Sequence, residues 1–300
     1  MQRRYVTIDV FTDRAFGGNP LAVVLDAEGL STAQMQAVAR EFNYSETTFV
    51  LPPADPAHTA QVRIFTPAFE MPFAGHPNVG TALVLSRRAP GRSRLLFEEV
   101  AGLVPLDITL AHGQPVAAEL TAPRPFTRGA NADPGKVAAA LALDTTDILI
   151  GTHRPTMGTV GAAFLFCEIA GRDTLRACQP DHARLTALLA ATETVGIFAY
   201  TKDGADSAND IHARMFFPAG GIIEDPATGS AAVALVALLA SLAPQDTLDL
   251  ALRVGQGEDM GRPSLLLTRA LKRGGKLVSA HVGGGGMEIM QGTFVLAGEA

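Results

Sequence analysis

The sequence predicts an α+β chain of two similar halves, each a barrel-like sheet of strands wrapped around one central apolar helix. Three observations predict it. First, one stretch occurs twice: Arg63-Ile64-Phe65-Thr66-Pro67 leads to Pro77-Asn78-Val79-Gly80-Thr81-Ala82, and Arg214-Met215-Phe216-Phe217-Pro218 leads to Pro226-Ala227-Thr228-Gly229-Ser230-Ala231. Second, each copy opens an apolar run, and the run from Ala231 to Ala240 is apolar on every side. A helix of that kind is buried all round, and this one is too short to cross a bilayer. Third, strand-like segments outnumber helical ones by about four to one, so strands must enclose helices.

The composition is compatible with that plan. Of 300 residues, 47% are apolar and 18% charged, which favours well-buried cores over disorder. A net charge of −6 without a long Lys/Arg run disfavours a nucleic-acid partner. Cys167 and Cys178 are too few for a disulfide scaffold or a zinc site. The histidines show no H-x-x-x-H or H-E-x-x-H spacing, so no metal is expected. The opening residues run into a strand rather than a signal sequence, and no membrane span follows. A soluble cytoplasmic protein is the expectation.

Taken in order, Tyr5 to Phe11 alternates as a strand, Gly17-Gly18-Asn19-Pro20 is a turn signal, and Leu21 to Leu25 is a second strand. Ser31 with Gln34 has capping-box spacing, and Met35, Val38, Ala39 and Phe42 mark the helix face behind it. Thr47 to Leu51 is the next strand, ended by Pro52 and Pro53. After the first repeat come strand-like segments at 94–97, 104–110 and 116–120. Pro123, Pro125 and Gly129 mark a linker, giving domains of 1–122 (joined by a last strand at about 287–300) and 123–286. Beyond it, helices at 134–143 and 181–191 and strands at 162–169 and 194–200 lead to the second repeat. Strands at 265–268, 277–282 and 292–296 end the chain. Between them, Gly283 to Gly286 lack the context of a phosphate loop and read as a tight turn or a backbone approaching a ligand.

In each repeat an x-Pro pair, His76-Pro77 and Asp225-Pro226, reads as N-cap and first helical residue. The helix starts carry free N–H groups and partial positive charge, which attract carboxylates, and a site at the seam of two facing halves is the expected use. Aspartate is a favoured N-cap and histidine is not, so His76 calls for a functional reason more than Asp225 does. As a pair they offer a donor and an acceptor for a polar, partly anionic ligand. Glu46 is the acid best placed for catalysis, at a helix–strand join between Ser45 and Thr47. Aligning Thr47-Thr48-Phe49-Val50 with Gly196-Ile197-Phe198-Ala199 sets Val195 opposite it, so the second half lacks this acid. By pattern alone two readings of Glu46 stand open. One is a surface carboxylate; the other is a desolvated one whose pKa rises toward neutrality, as a proton shuttle requires. No G-x-S-x-G elbow or catalytic cysteine setting is present, which leaves cofactor-free acid–base chemistry.

At these residues the chain resembles the phenazine-biosynthesis PhzF-like isomerase family. The matching stretches are Asp9 to Thr12 with Phe16 to Val24, Asn43 to Val50, Phe65-Thr66-Pro67, Glu70 to Pro77, Glu224 to Ala231, and Met260 to Ser264. The resemblance implies a diaminopimelate epimerase-like fold with its active site between the domains. It implies that Glu46 is the catalytic acid/base, shifting a proton on a small carboxylated substrate. His76 and Asp225 would orient that substrate, Ser45, Gly75, Gly229 and Ser230 would line its carboxylate site, and Asn19 joins the substrate-binding set. A homodimer without metal or organic cofactor is likewise implied. Two rivals remain: a two-base epimerase or racemase of the same fold, which needs opposed cysteines at the helix starts, and a non-catalytic small-molecule binding protein.

Overall fold

The computed structural model describes residues 2–203, 208–218 and 223–296, and its chain divides into two units. Met1–Pro123 with Gly283–Ala300 form the first, and Arg124–Val282 the second. Of the last strand expected at 287–300, residues 297–300 lie outside the described residues.

The first unit contains β1 (Gln2–Val10), β2 (Asn19–Val24), α1 (Thr32–Phe42), β3 (Glu46–Leu51), β4 (Ala60–Phe65), β5 (Glu70–Met71), α2 (Gly75–Arg88), β6 (Arg94–Glu99), β7 (Gly102–Ala111) and β8 (Gln114–Thr121). Antiparallel pairs join β1 to β2, β3 to β4, β6 to β7 and β7 to β8, and parallel pairs join β2 to β3 and β4 to β6. The chain's last strand, β18 (Lys276–Val295), pairs with both β8 and β1 and closes an eight-stranded barrel. Through the barrel runs α2, buried from Gly75 to Val84. It can lie this close because Gly80 has no side chain: a Cβ there would stand 2.7 Å from both Leu21 Cδ2 and Val10 Cγ2. Outside, Met35, Val38 and Ala39 of α1 pack with Phe49 and Phe65, so β3 is covered on both faces.

The second unit repeats this order. Its elements are β9 (Thr127–Asn131), α3 (Pro134–Leu141), β10 (Ile148–Leu149), β11 (Thr156–Thr159), β12 (Ala163–Ile169), α4 (Arg172–Ala177), α5 (His182–Thr192), β13 (Gly196–Thr201), β14 (Ile211–Phe216), β15 (Glu224–Asp225), α6 (Gly229–Leu242), β16 (Leu248–Gln256) and β17 (Ser264–Arg273). From β11 to β17 the pairings run antiparallel, parallel, antiparallel, parallel, antiparallel, as from β1 to β7. The central helix is α6, buried from Gly229 to Leu238. Each Val or Leu it removes from water contributes roughly 1.5–3 kcal/mol, which outweighs its lack of polar anchoring. Outside the sheet, α3, α4 and α5 cover Leu165, Cys167, Ile197 and Ala199.

The repeat carries a duplicated latch. The Arg63 guanidinium donates two hydrogen bonds, of 2.7 and 2.6 Å, to Glu70 and stacks over Phe65. Arg214 does the same to Glu224 at 2.8 and 2.8 Å, over Phe216. Bidentate pairing of this kind fixes geometry as well as adding attraction, and each latch pins the two-residue strand from which the chain turns into the central helix.

Four expectations are corrected. The x-Pro pairs are not helix caps: α2 starts at Gly75 with Ala74 as N-cap, and α6 at Gly229 with Thr228 as N-cap. Pro77 sits inside the first turn, where a missing N–H costs nothing because no intrahelical partner exists for it. Asp225 and Pro226 precede their helix altogether. The glycines Gly283 to Gly286 form no turn; they lie within β18, where a Cβ on Gly283 would meet Ala118 O at 2.7 Å. Gly129 belongs to β9 rather than to a linker. Finally, Thr47 pairs with Phe65 as Ile197 pairs with Phe216, which sets Gly196, not Val195, opposite Glu46.

Candidate active site

The outer helices α1, α3 and α5 are capped by side chains, and the central ones are not. Ser31 and Gln34 form a reciprocal capping box on α1, while Asp133 and Asp181 cap α3 and α5. Among the described residues, no side chain caps the start of α2 or of α6. Their first-turn N–H groups and partial positive charge are thereby kept for another acceptor.

At the start of α2, three polar side chains come together. Asn19 opens β2, Glu46 opens the parallel neighbour β3 beside Leu21, and His76 is the second residue of α2. All are buried, with His76 only 2% and Glu46 only 8% exposed. The Asn19 amide N–H donates to His76 Nδ1 at 3.2 Å. That bond assigns the ring proton to Nε2, which faces Glu46 Oε2 at 3.4 Å. Burial drives the His76 pKa down to about 3, so the ring is neutral at ordinary pH. The nearby carboxylate would favour the charged ring, but desolvation dominates and Nδ1 is already committed as an acceptor. Behind this group, Thr81 of α2 and Thr48 of β3 share a hydrogen bond of 2.9 Å, which fixes the helix against the strand. Ser45, half-buried, precedes Glu46 and follows the left-handed Asn43 that ends α1.

The second unit carries a different set at the equivalent place. Counting from the helix starts, Ser230 matches His76 and Asp225 matches Met71, so His76 and Asp225 are not counterparts. Asp225, 6% exposed, lies in β15. The Thr228 hydroxyl donates to its Oδ2 at 2.5 Å. Gln256, at the end of β16, holds the turn between them: its Nε2 donates to Asp225 O at 2.7 Å, and its Oε1 accepts from Thr228 N at 3.0 Å. Thr228 and Gln256 are absent from the sequence-level site, since a support of this kind leaves no spacing signal. The structure thus brings Glu46, His76 and Asn19 together in one unit and Asp225, Gly229 and Ser230 together in the other.

Both cysteines lie far from the helix starts in sequence and sit in the outer core of the second unit. Burial raises the Cys167 pKa well above the usual thiol range and pushes Cys178 up to about 12, which leaves both as inert thiols.

The family profile described as phenazine biosynthesis-like protein, PhzC-PhzF, matches residues 8–292. The chain belongs to the PhzC-PhzF family. Among PhzF relatives, an uncharacterized isomerase of Mesorhizobium japonicum is 39% identical, with 98% of this chain and 99% of that protein covered. The trans-2,3-dihydro-3-hydroxyanthranilate isomerase of Pseudomonas chlororaphis is 36% identical, covering 97% of this chain and 99% of that one. A PhzF-family crystal structure from Bacillus anthracis superposes with a TM-score of 0.88 at 24% identity, over 99% of this chain and 100% of that one. The fold is therefore the diaminopimelate epimerase-like fold of PhzF proteins. As an enzyme the chain is a PhzF-type isomerase. Among the described residues, no helix is long and apolar enough to cross a membrane.

Proposed function

We propose that this isomerase moves a proton on a small carboxylated substrate by single-carboxylate acid–base catalysis, with Glu46 as the shuttle. The observation that carries the reading is the buried Glu46 carboxylate facing a neutral His76 N–H at 3.4 Å. Glu46 takes a proton from a carbon next to a π system. The electron pair left behind delocalises into that system, and Glu46, whose carboxyl proton exchanges with solvent, returns a proton to another of its carbons. Atoms and charge balance without a co-reactant, and one base suffices because the proton leaves and returns on one face. His76, neutral and oriented by Asn19, donates its Nε2–H to a polar group of the substrate. Asp225, Gly229 and Ser230, with Ser45 and Gly75, bind the substrate's polar and carboxylate groups, to which an uncapped helix start is suited. The activity of the Pseudomonas relative supports a substrate class of cyclic, conjugated amino acids like trans-2,3-dihydro-3-hydroxyanthranilate. A two-base stereoinversion is disfavoured by the core burial of both cysteines.

The test is to incubate trans-2,3-dihydro-3-hydroxyanthranilate with the protein in deuterated water and follow isomerisation and carbon-bound deuterium by mass spectrometry. Glu46→Gln keeps the shape and removes the base, and should slow both by about 10²–10⁴-fold. Exchange at the wild-type rate in that variant overturns the assignment.

A further inference from the structure

The turn from Gln256 to Ser264 takes no part in the chemistry above, yet it is built around the segment that carries Asp225. Gly257 has φ +75°, and a Cβ on it would stand 2.5 Å from both Pro226 O and Arg262 O. Ser264 Oγ donates to Pro226 O at 3.2 Å. On its outer side the turn is tied down by Arg172, which donates to Glu258 at 2.9 Å and to Asp259 at 2.8 Å, and by His212 Nδ1, 3.1 Å from Glu258 Oε2. Gln256 itself is buried.

The hydrogen bonds around Gln256 have a fixed direction. An amide nitrogen can only donate, so Gln256 Nε2, 3.2 Å from Thr228 Oγ1, donates to that oxygen. The Thr228 hydroxyl then has one proton left to give, and it points to Asp225 Oδ2 at 2.5 Å. The amide also fixes the backbone at both ends of the same turn, through Asp225 O and Thr228 N. A reversed hydroxyl would leave the amide N–H without this acceptor in a buried place and would take the Thr228 bond away from Asp225.

We infer that Gln256 is a positioning residue for the isomerase: it orients the Thr228 hydroxyl toward Asp225 and so holds that carboxylate ionised and aimed for substrate. The inference rests on the substrate-binding role proposed for Asp225. Gln256 touches no substrate; it acts through Thr228, and its effect falls on binding and on pH dependence rather than on the proton shuttle.

Gln256→Glu tests this, because it keeps the shape and replaces the donor by an acceptor. At pH 7.5 the introduced carboxylate takes the Thr228 proton and repels Asp225. Using trans-2,3-dihydro-3-hydroxyanthranilate, kcat/KM should fall about 30-fold, mostly through KM, as expected for a charge-assisted bond lost from a buried site. As pH falls and the introduced carboxyl becomes protonated, it can donate again, and the deficit relative to wild type should shrink. Glu258, Asp259 and His212 face this turn in both proteins, so the ratio of the two profiles isolates the new group. Thr228→Ser should keep the wild-type KM and Thr228→Val should raise it, a pair that decides the matter if Gln256→Glu fails to fold. A Gln256→Glu profile parallel to wild type, or Thr228→Val with unchanged KM, overturns the inference while Asp225→Asn still raises KM. An Asp225→Asn variant with unchanged KM overturns the parent reading instead.

Discussion

A buried acid outside the proposed catalytic group offers the sharpest quantitative test of the fold. Glu99 ends β6, and the hairpin beyond it is docked by Ala101 N donating to Pro72 O at 3.0 Å. The residue as a whole is half-buried, but both carboxylate oxygens are shut off from solvent without a hydrogen-bond partner among the described residues. Its polar neighbour is Asn78, whose own Oδ1 is in the same state and whose Nδ2 donates to Ala74 O at 2.9 Å. Desolvation pushes the Glu99 pKa up from 4.5 to about 8. The folded protein therefore keeps a proton that the unfolded chain releases near pH 4.5, and stability drains away as pH rises from there to about 8. At about 1.4 kcal/mol per pH unit, the full loss is about 5 kcal/mol, and about 3 kcal/mol is already lost at pH 7. Glu99→Gln replaces the acid by a neutral group of the same shape that cannot lose a proton. Urea-unfolding midpoints measured from pH 4 to 9 should nearly coincide for the two proteins at the acid end and diverge steadily up to pH 8, with the variant the more stable. A separation that stays constant across that range would refute the reasoning, because only a titrating buried carboxyl makes it grow.

Two further outcomes follow from packing and from the tautomer. Gly80→Ala forces a methyl between Leu21 and Val10, and overpacking of that kind should cost about 1–3 kcal/mol in urea unfolding. Nitrogen-15 NMR of His76 should show a neutral ring protonated at Nε2 throughout pH 5–8, as the Asn19 bond and burial require; a titration midpoint near 6.5 would contradict it.

Local signals in the sequence were legible where local physics decides. The capping box at Ser31 and Gln34 and the all-round apolar helix after Gly229 both form as their residues dictate. The frame of the repeat was harder. Its prolines drew the alignment, but the latch glutamates and the helix-opening glycines Gly75 and Gly229 set the true register, because the helix of the first unit begins before Pro77. Glycine runs read as turns from propensity alone. At Gly283 to Gly286 the deciding term is the neighbouring backbone, which only tertiary structure supplies. The same holds for the candidate site: Glu46 and His76 are proposed from residue type alone. The Asn19 bond that fixes the imidazole spans 57 residues, and that between Gln256 and Asp225 spans 31, so neither has a spacing to detect.

The last strand bears on how the protein is made. β1 pairs along its length with β18, from Gln2 opposite Val295 to Val10 opposite Gly286, and Arg88 reaches Glu288 across 200 residues of chain. The N-terminal barrel therefore cannot close until the chain has been made through Val295. All of the second unit's sequence has been made before β1 receives β18 as its second neighbour, so the half begun first is finished last. Until then β1 has an open edge of unpaired N–H and C=O groups, the kind of edge that recruits other chains. A gene cut after Pro123 would make that nascent state permanent, so the two halves, alike in plan, are unequal as fragments.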